Sequence, residues 1–402
     1  MKSIVIITSN YAPETNAAAQ RITAVAEAMA AAGWRVRVVA PLPHYPQYEI
    51  YAGYDGRSPL ISEENGVEVV RIRPWIVPRT SLPARLLAET AFDALALRHV
   101  LSCPADLFVA SSPYMFNALV GLLASRLRRK PFLWDVRDLT WLYTRATGKR
   151  TFGLEALMDG LMRGVAARAD GLTTVTQGIL DYFVTKPALA SVFPNGVSDE
   201  WLARLLEVPP PRPASRPKVV YAGLLGMNQG LSTLVEAAAL LPEADFVIAG
   251  DGPERAALAE LARARGARNV ELTGYLSRHE LLGLYAQADV FVAHLRRHQV
   301  YEWAQPTKVW EYMAAGRPVI YAGEGEMARI VSENDIGVIV PPEDPERLAQ
   351  AARELLASPE QMRLLAGRGR RYVVENRTRS RLVAAFVSMA TRLVESRTEA
   401  PR

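Results

Sequence analysis

Gln305-Pro306-Thr307-Lys308-Val309-Trp310-Glu311-Tyr312-Met313-Ala314-Ala315-Gly316-Arg317-Pro318-Val319-Ile320 is the stretch on which the reading of this chain turns. It predicts a short helix, closed by Gly316 and followed by a buried strand. Pro306 suits the first helical position, where a missing N–H costs nothing. Lys308 then falls in the first turn, at the positive end of the helix dipole, and it precedes Glu311 by three, the poorer orientation for a helical ion pair. A cation set against its own helix makes physical sense if an anion docks there. Thr307, Lys308 and Glu311 share one face, so one ligand can meet a hydroxyl, an ammonium and a carboxylate together. Phosphate for the first two and a sugar hydroxyl for the third is the natural assignment. A solvated first turn with a weak Lys308–Glu311 contact is the alternative reading of the same residues.

Around this stretch the chain alternates short apolar runs with amphipathic ones. Residues 208–217 hold five prolines in ten positions, which no helix or central strand tolerates, so an extended linker is expected there. Before it the pattern predicts strands at Ser3–Thr8, Arg35–Ala40, Val67–Arg73, Leu107–Ala110, Phe132–Asp135 and Gly171–Val175. Helices are expected near Ala17–Ala32, Leu82–Leu101 and Tyr114–Leu127. After the linker, strands are expected at Lys218–Ala222, Asp245–Ala249, Val270–Thr273, Val290–Ala293 and Pro318–Tyr321. They are interleaved with helices near Leu231–Leu241, from Pro253, near Ser277–Ala288, from Pro306 and near Pro345–Leu356. Such alternation implies an α/β protein with two parallel sheets covered on both faces, hence two Rossmann-like domains facing a cleft. Ligands of such folds bind beyond the carboxyl ends of the strands. The expected domains are residues 1–205, a linker at 206–217, residues 218–377, and an amphipathic tail helix within 378–402.

The single cysteine, Cys103, excludes an intramolecular disulfide and a cysteine-based metal cluster, which makes the cytoplasm the expected compartment. No run approaches eighteen apolar residues, and the N-terminal apolar run is too short for a signal peptide. The net charge of +5 comes without an aromatic-and-basic RNA motif, zinc-finger spacing or helix-turn-helix signal. No nucleic acid is therefore expected as a partner, and anionic substrates or an anionic membrane surface account for the charge as well. His294 and His298, four apart, lack a carboxylate partner motif, and no Asp-x-Asp pair follows a strand, so no metal or other cofactor is expected.

The 306–318 segment resembles the nucleotide-sugar signature of retaining GT-B glycosyltransferases of the large family four. More narrowly it is similar to a bacterial cell-envelope polysaccharide subgroup, that of L-fucosamine-type transferases, whose signature reads Pro-Ser/Thr-Lys-x-x-Glu-Tyr-x-Ala-x-Gly-x-Pro. The wider family carries two glutamates separated by seven residues. Counting back from Glu311 lands on Trp303, with Glu302 one position off, so no role of that first glutamate carries over. The resemblance implies transfer of a hexosyl or N-acetylhexosaminyl group from a nucleotide diphosphate sugar, held by the second domain, to an acceptor held by the first. It also implies that the tail helix crosses back onto the first domain.

Gly223, Gly226 and Gly230 follow the first strand of the second domain, and the helix after Gly230 offers free N–H groups to a phosphate. The spacing is not the dinucleotide Gly-x-Gly-x-x-Gly. Similar enzymes set this loop, here with Asn228 and Gln229, against the donor diphosphate. Many also place a cation in it; this chain has none between Gly223 and Gly230, which leaves Lys308. A purely structural tight turn is the alternative. In Gly250-Asp251-Gly252-Pro253, Asp251 or Gly252 can cap a helix beginning at Pro253, and the resemblance puts Gly250 and Gly252 in the nucleotide-side wall. Tyr275 and Leu276 match the family segment whose backbone meets the base.

In the first domain, Trp134-Asp135-Val136-Arg137-Asp138-Leu139-Thr140-Trp141 follows an apolar strand and resembles the subgroup's Asp-x-Arg-Asp-Leu-Trp, with Thr140 inserted. Asp138 can orient or deprotonate an acceptor hydroxyl, while an Asp135–Arg137–Asp138 network is the structural alternative. Thr15-Asn16 occupies the position of the family's usual Gly-Gly pair. Arg21 matches a family arginine, although a solvated arginine is what the sequence favours. Tyr45 and Tyr48, in a loop rich in a residue type that stacks on sugars, suggest an acceptor-side wall with Asn16, Arg21, Arg137 and Asp138. Pro194-Asn195-Gly196 resembles an interdomain turn with Asn195 or Gly196 at positive φ. The assigned catalytic set is Asp138, Lys308 and Glu311. The subgroup implies a lipid-linked saccharide acceptor and peripheral attachment to the inner face of the cell membrane. The apolar run from Tyr114 to Ala124, followed by Arg126, Arg128, Arg129 and Lys130, is the candidate contact; a core helix with a solvated basic end is the other reading. Outside the retaining transferases, a GT-B nucleotide-sugar epimerase or a non-catalytic nucleotide-binding protein would carry many of the same motifs.

Overall fold

The computed structural model describes residues 1–45, 48–54, 56, 58–77, 82–142, 153–210 and 216–399. The chain forms two units, residues 1–195 with 379–402, and residues 196–378. In the first, eight strands build one sheet: β1 (Ser3–Thr8), β2 (Arg35–Pro41), β3 (Leu60–Glu64), β4 (Val67–Ile72), β5 (Leu107–Ser111), β6 (Phe132–Val136), β7 (Gly171–Thr174) and β8 (Leu189–Val192). Their order is β3-β4-β2-β1-β5-β6-β7-β8. All pairs are parallel except the edge pair β3–β4. β1, Ile-Val-Ile-Ile at its centre, is buried on both faces, as a central parallel strand must be.

The helices of this unit are α1 (Ala17–Ala31), α2 (Leu82–Leu101), α3 (Asn117–Arg128), α4 (Leu154–Arg168) and α5 (Gln177–Tyr182). Asn16 starts α1, its Oδ1 accepting the Ala19 N–H at 2.9 Å. α3 begins three residues later than expected. Its apolar stretch is mostly core: Met115, Ala118, Val120, Gly121 and Ala124 are buried, and a Cβ on Gly121 would meet the Phe132 ring at 2.4 Å. The basic residues beyond it have partners too. Arg126 donates to Arg168 O at 2.6 Å, Arg128 donates to Leu101 O, and Lys130 pairs with Asp106 at 2.9 Å. The core-helix reading of 114–124 therefore holds.

The second unit opens with α6 (Asp199–Leu206), ahead of the proline-rich stretch, because Trp201, Leu202 and Leu205 bury into that unit's core. The division thus falls at Asn195/Gly196 rather than at 205/206. Residues 211–215 of the expected linker lie outside the described residues. Six parallel strands follow: β9 (Lys218–Ala222), β10 (Asp245–Ala249), β11 (Val270–Gly274), β12 (Val290–His294), β13 (Val319–Ala322) and β14 (Val338–Val340), in the order β11-β10-β9-β12-β13-β14. They are covered by α7 (Ser232–Leu240), α8 (Arg255–Ala264), α9 (Arg278–Gln287), the short α10 (Gln299–Glu302), α11 (Thr307–Ala314), α12 (Gly325–Glu333), α13 (Pro345–Leu356) and α14 (Pro359–Asn376). Arg317, almost fully buried, ties this unit together by donating to Ala288 O at 2.6 Å and to Pro209 O at 2.7 Å.

The last helix, α15 (Arg379–Glu399), packs on α1 of the first unit and places Val383, Phe386, Met389, Ala390 and Leu393 in the core beside β1 and β2. Neither Asn195 nor Gly196 adopts positive φ. Arg21 holds that turn from within, donating to Pro194 O at 3.1 Å and Asn195 Oδ1 at 3.4 Å, while Val197 bridges to Thr378. Among the described residues no helix is long and apolar enough to cross a membrane.

Candidate functional site

In each sheet the strand order reverses beside the first strand, β1 in one unit and β9 in the other. Connections leave such a strand in opposite directions and open a crevice at its carboxyl end. Both crevices hold residues singled out from the sequence.

At β9 the backbones come close. Gly223 N–H donates to Ala249 O at 2.9 Å, Leu225 N–H to Asp251 O at 2.9 Å, and Gly250 N–H to Gly274 O at 2.8 Å. The loops after β9, β10 and β11 are thereby stitched side by side. Glycine is obligatory here, since a Cβ on Gly250 would lie 1.9 Å from Gly223 O. Asp251 does not cap a helix from Pro253: its side chain meets the Gly252 N–H at 2.8 Å, and α8 starts at Arg255 after Glu254. Tyr275 stands beyond Gly274 with 81% of its surface exposed, and Leu276 is half-buried against the core.

α11 delivers Lys308 to this loop. Pro306 is the residue before the helix and Thr307 the first within it, and no side chain caps that start. Lys308 Nζ donates to Tyr221 Oη at 2.6 Å and Gln229 Oε1 at 2.8 Å, and lies 4.2 Å from the Tyr221 ring centre. A Cβ on Gly223 would come within 2.6 Å of it. Desolvation in this setting lowers the Lys308 pKa to about 7, with Glu311 pulling the other way. One turn on, the Tyr312 hydroxyl donates to Ala222 O at 2.6 Å and accepts its N–H at 2.8 Å. This pair of hydrogen bonds pins α11 to the end of β9. Tyr221 and Gln229 were not assigned from sequence as the residues that hold Lys308, nor Tyr312 as the one that pins its helix, because a continuous apolar strand gives no sign of which side chains meet at its end. Glu311, on the same helix, is half-buried.

Asn228 and Gln229 lie in a tight turn, Met227–Gln229, closed by Gly230 at φ +56°. β12 brings Arg296 beside it: Arg296 N–H donates to Asn228 O at 3.1 Å. Its side chain passes the loop, since a Cβ on Gly230 would meet Arg296 Cγ at 3.0 Å, and its guanidinium lies 4.0 Å from Glu343. A basic side chain thus stands beside a loop that has none of its own, which no local pattern reveals. His294 and His298 serve backbone groups separately. His294 Nε2 accepts the Glu343 N–H at 3.0 Å, burial lowers its pKa to about 4, and His298 Nδ1 accepts the Val300 N–H at 3.3 Å.

At β1 the first unit encloses a cavity of about 590 Å³, lined among others by Asn10, Asn16, Tyr45, Tyr48, Arg137 and Asp138. Pro46 and Gln47 of the tyrosine-rich loop lie outside the described residues. Glu14 organises this wall. Its buried carboxylate accepts the N–H groups of His44 and Tyr45, each at 2.9 Å, and the Asn10 amide at 2.6 Å. Sequence reasoning passed over it, since only the chain fold brings residues 10–16 against 44–48.

Arg21 is not solvated and does not line the cavity. It is buried, paired with Asp135 at 2.8 Å, and its guanidinium lies 3.7 Å from the centre of the Phe193 ring. Asp135 also accepts from Ser111 at 2.9 Å and Thr173 at 2.8 Å. Burial by itself would raise the Asp135 pKa; the charge of Arg21 and these hydrogen bonds outweigh it and hold the carboxylate ionised. The 134–141 segment thus sends Asp135 into an ion pair with Arg21, and the charge of Arg137 also acts on it. Arg137 and Asp138 point to the cavity, and the Arg137 N–H is held by Ser112 Oγ at 2.8 Å.

Residues 16–196 match the family model described as a glycosyl transferase 4-like domain, and residues 216–358 that of glycosyl transferases group 1. The chain is 25% identical over 383 residues to WcaI of Escherichia coli (strain K12), named as a colanic acid biosynthesis glycosyl transferase, covering 89% of this chain and 92% of that one. It is 29% identical over 232 residues to the GDP-mannose-dependent alpha-(1-6)-phosphatidylinositol monomannoside mannosyltransferase of Mycobacterium tuberculosis, covering 52% of this chain and 60% of that one. Among solved structures it is similar to Anabaena Alr3699/HepE, determined in complex with UDP, with a TM-score of 0.68 at 16% identity over 97% of this chain and 100% of that one. At that identity the likeness speaks for the fold.

Proposed function

Because the chain belongs to the GT-B glycosyltransferases of family four, we propose that it moves a sugar, with retention of anomeric configuration, from a nucleotide diphosphate donor to an acceptor hydroxyl. Lys308 carries this reading. A lysine amine pressed against Gly223 at an uncapped helix start, with its pKa brought down by desolvation, is a group that an anion would hold protonated. A departing nucleotide diphosphate gains charge as the glycosidic bond breaks, so Lys308, the Thr307 hydroxyl and the free N–H groups of α11 stabilise the transition state more than the ground state. Glu311 is assigned to the donor ribose. Arg296 adds positive potential beside the loop.

The acceptor belongs to the first unit. Tyrosine rings, amides and Asp138 around the 590 Å³ cavity suit a saccharide, whose faces stack and whose hydroxyls hydrogen-bond. Asp138 orients the attacking hydroxyl, and its proton passes to that carboxylate or to the leaving phosphate. A lipid-linked saccharide of a cell-envelope polysaccharide is the acceptor we assign. The relatives support it: one is named for colanic acid biosynthesis and another acts on a phosphatidylinositol mannoside. Thermal stabilisation by UDP-, GDP- and dTDP-sugars, followed by NMR of the product's anomeric proton, tests the proposal. Stabilisation by one nucleotide class and a retained configuration are expected; no stabilisation and no transfer, or an inverted product, would overturn it.

A further inference from the structure

Of the seven tryptophans in the chain, five are buried and Trp303 is half-buried. Trp75 stands 61% exposed, and among the described residues its indole has no hydrogen-bond or ring partner. Ile76 beside it is exposed too. A side chain of this size, apolar over most of its surface, is ordinarily covered. Trp75 is not stranded on open surface, however: with Ile76, Val77 and Ala88 it lines the 590 Å³ cavity of the first unit.

The strand order sets how far Trp75 lies from Asp138. The cavity is lined from the carboxyl ends of five neighbouring parallel strands, in the order β4, β2, β1, β5 and β6. Trp75 follows β4, Tyr45 follows β2, Asn10 follows β1, Tyr114 follows β5 and Asp138 follows β6. Neighbouring strands lie about 4.8 Å apart, so the steps from β4 to β6 separate the two ends by about 19 Å before side chains reach inward. A single pyranose does not span that distance; a short run of linked sugars does. The two ends also differ in chemistry. The β6 end brings Arg137 and Asp138, while the loop after β4 brings the apolar Trp75, Ile76 and Val77. One end is fitted to hydroxyl groups and the other to the C–H face of a ring.

We propose that Trp75 is the platform of a second acceptor subsite, on which a sugar remote from the reacting hydroxyl stacks, so that the acceptor is a saccharide of two or more linked sugars. This rests on the reading of the β1 crevice as the acceptor's. It also adds an order to the chemistry, since an earlier glycosyl transfer must have extended the acceptor before this protein takes it up. Selection is then by length. A single sugar fills the polar end and leaves the Trp75 face in water, whereas a longer saccharide covers that face and gains the apolar contact.

An array of lipid-free glycans, from single sugars to tetrasaccharides, probed with the full chain, tests it. Wild-type protein should be retained on glycans of two or more sugars and little on single ones. Trp75→Ala should lower retention on the longer glycans about tenfold, the effect of losing one ring-sized apolar contact, and Trp75→Phe should fall between. An unchanged melting temperature would show that the variants fold. Single sugars held as well as longer ones, longer ones held equally by Trp75→Ala, or no glycan held at all would overturn the proposal. So would a Trp75 emission, taken as the difference between wild type and Trp75→Phe, that shifts with phosphatidylcholine vesicles and with no glycan, which would make this ring a lipid contact. Length-dependent retention that Trp75→Ala loses, without transfer from any nucleotide sugar, would leave the subsite standing while the transferase reading falls. Transfer indifferent to acceptor length and to Trp75 would do the reverse.

Discussion

The two crevices are built from the same topology and furnished in opposite ways. Beyond β9 the polypeptide itself comes forward: glycines stitch three loops together, and one lysine is set against them. Beyond β1 the backbone stays back and side chains fill the space, with the buried Glu14 fixing Asn10, His44 and Tyr45 in place. Backbone amides and a point charge suit a ligand part shared by all nucleotide sugars, the diphosphate. A wall of amides and aromatic rings suits a ligand with many hydroxyls and a particular shape. On the proposed assignment, the contrast teaches that a donor crevice is made general by removing side chains, and an acceptor crevice selective by adding them.

The largest effect should come from Lys308→Ala. Loss of one preorganised donor to a developing oxyanion costs about 10²–10³ in kcat, and donor affinity should fall with it while the melting temperature holds. Wild-type rates would remove the charge from the β9 crevice and the comparison with it. Glu311→Gln should cost about 1.5–3 kcal/mol in donor affinity if a charged hydrogen bond to ribose is lost. Deoxyribose donors that distinguish the two proteins no better than the intact donor does would refute that contact.

On the other side, Glu14→Gln keeps the shape but turns one acceptor oxygen into a donor facing backbone N–H groups. We expect the acceptor KM to rise about tenfold, with donor affinity unchanged, roughly the effect of one unsatisfied buried hydrogen bond. A parallel rise in donor KM would show that Glu14 supports the fold at large.

The pH dependence should be milder and one-sided. The Lys308 pKa in the free protein is brought down to about 7, below the usual lysine value, and an anion favours the protonated form. Donor affinity should therefore be full below pH 7 and decline as pH rises above it, with most of one proton taken up on binding at pH 8. Calorimetry in buffers of differing ionisation enthalpy measures this; no uptake would mean that Lys308 is already charged. The smallest effect is expected from chelation. Transfer should persist in excess EDTA because Lys308 and the helix start meet the diphosphate, and abolition reversed by one divalent ion would overturn that assignment.

How much of this was legible follows from the kind of signal each part left. The buried strands read correctly because parallel sheets write themselves as continuous apolar runs, β1 and β9 above all. The edge strands β3, β8 and β14, partly in water, gave no such run and were missed. Lys308 announced itself through its conflict with the helix dipole. Arg21 was misjudged because a single arginine on an amphipathic helix looks solvated until Asp135, 114 positions away, is brought to it. Arg296 and Glu14 were invisible for the same reason. Residues whose meaning lies in one long-range contact carry no local pattern.

The placing of α15 has a consequence for the order of events as the chain is made. The first unit's core includes Phe386, Met389 and Leu393, packed with Ile22, Val25 and Phe193, yet the whole second unit is synthesised before those residues exist. A nascent chain therefore holds an unfinished first unit, with an apolar face of α1 open to solvent, while the second has every strand and helix it needs. Domains fold as units during synthesis, so here the second unit should reach its native state first, and the residues of α15, made after it, should be the ones that seal the first unit.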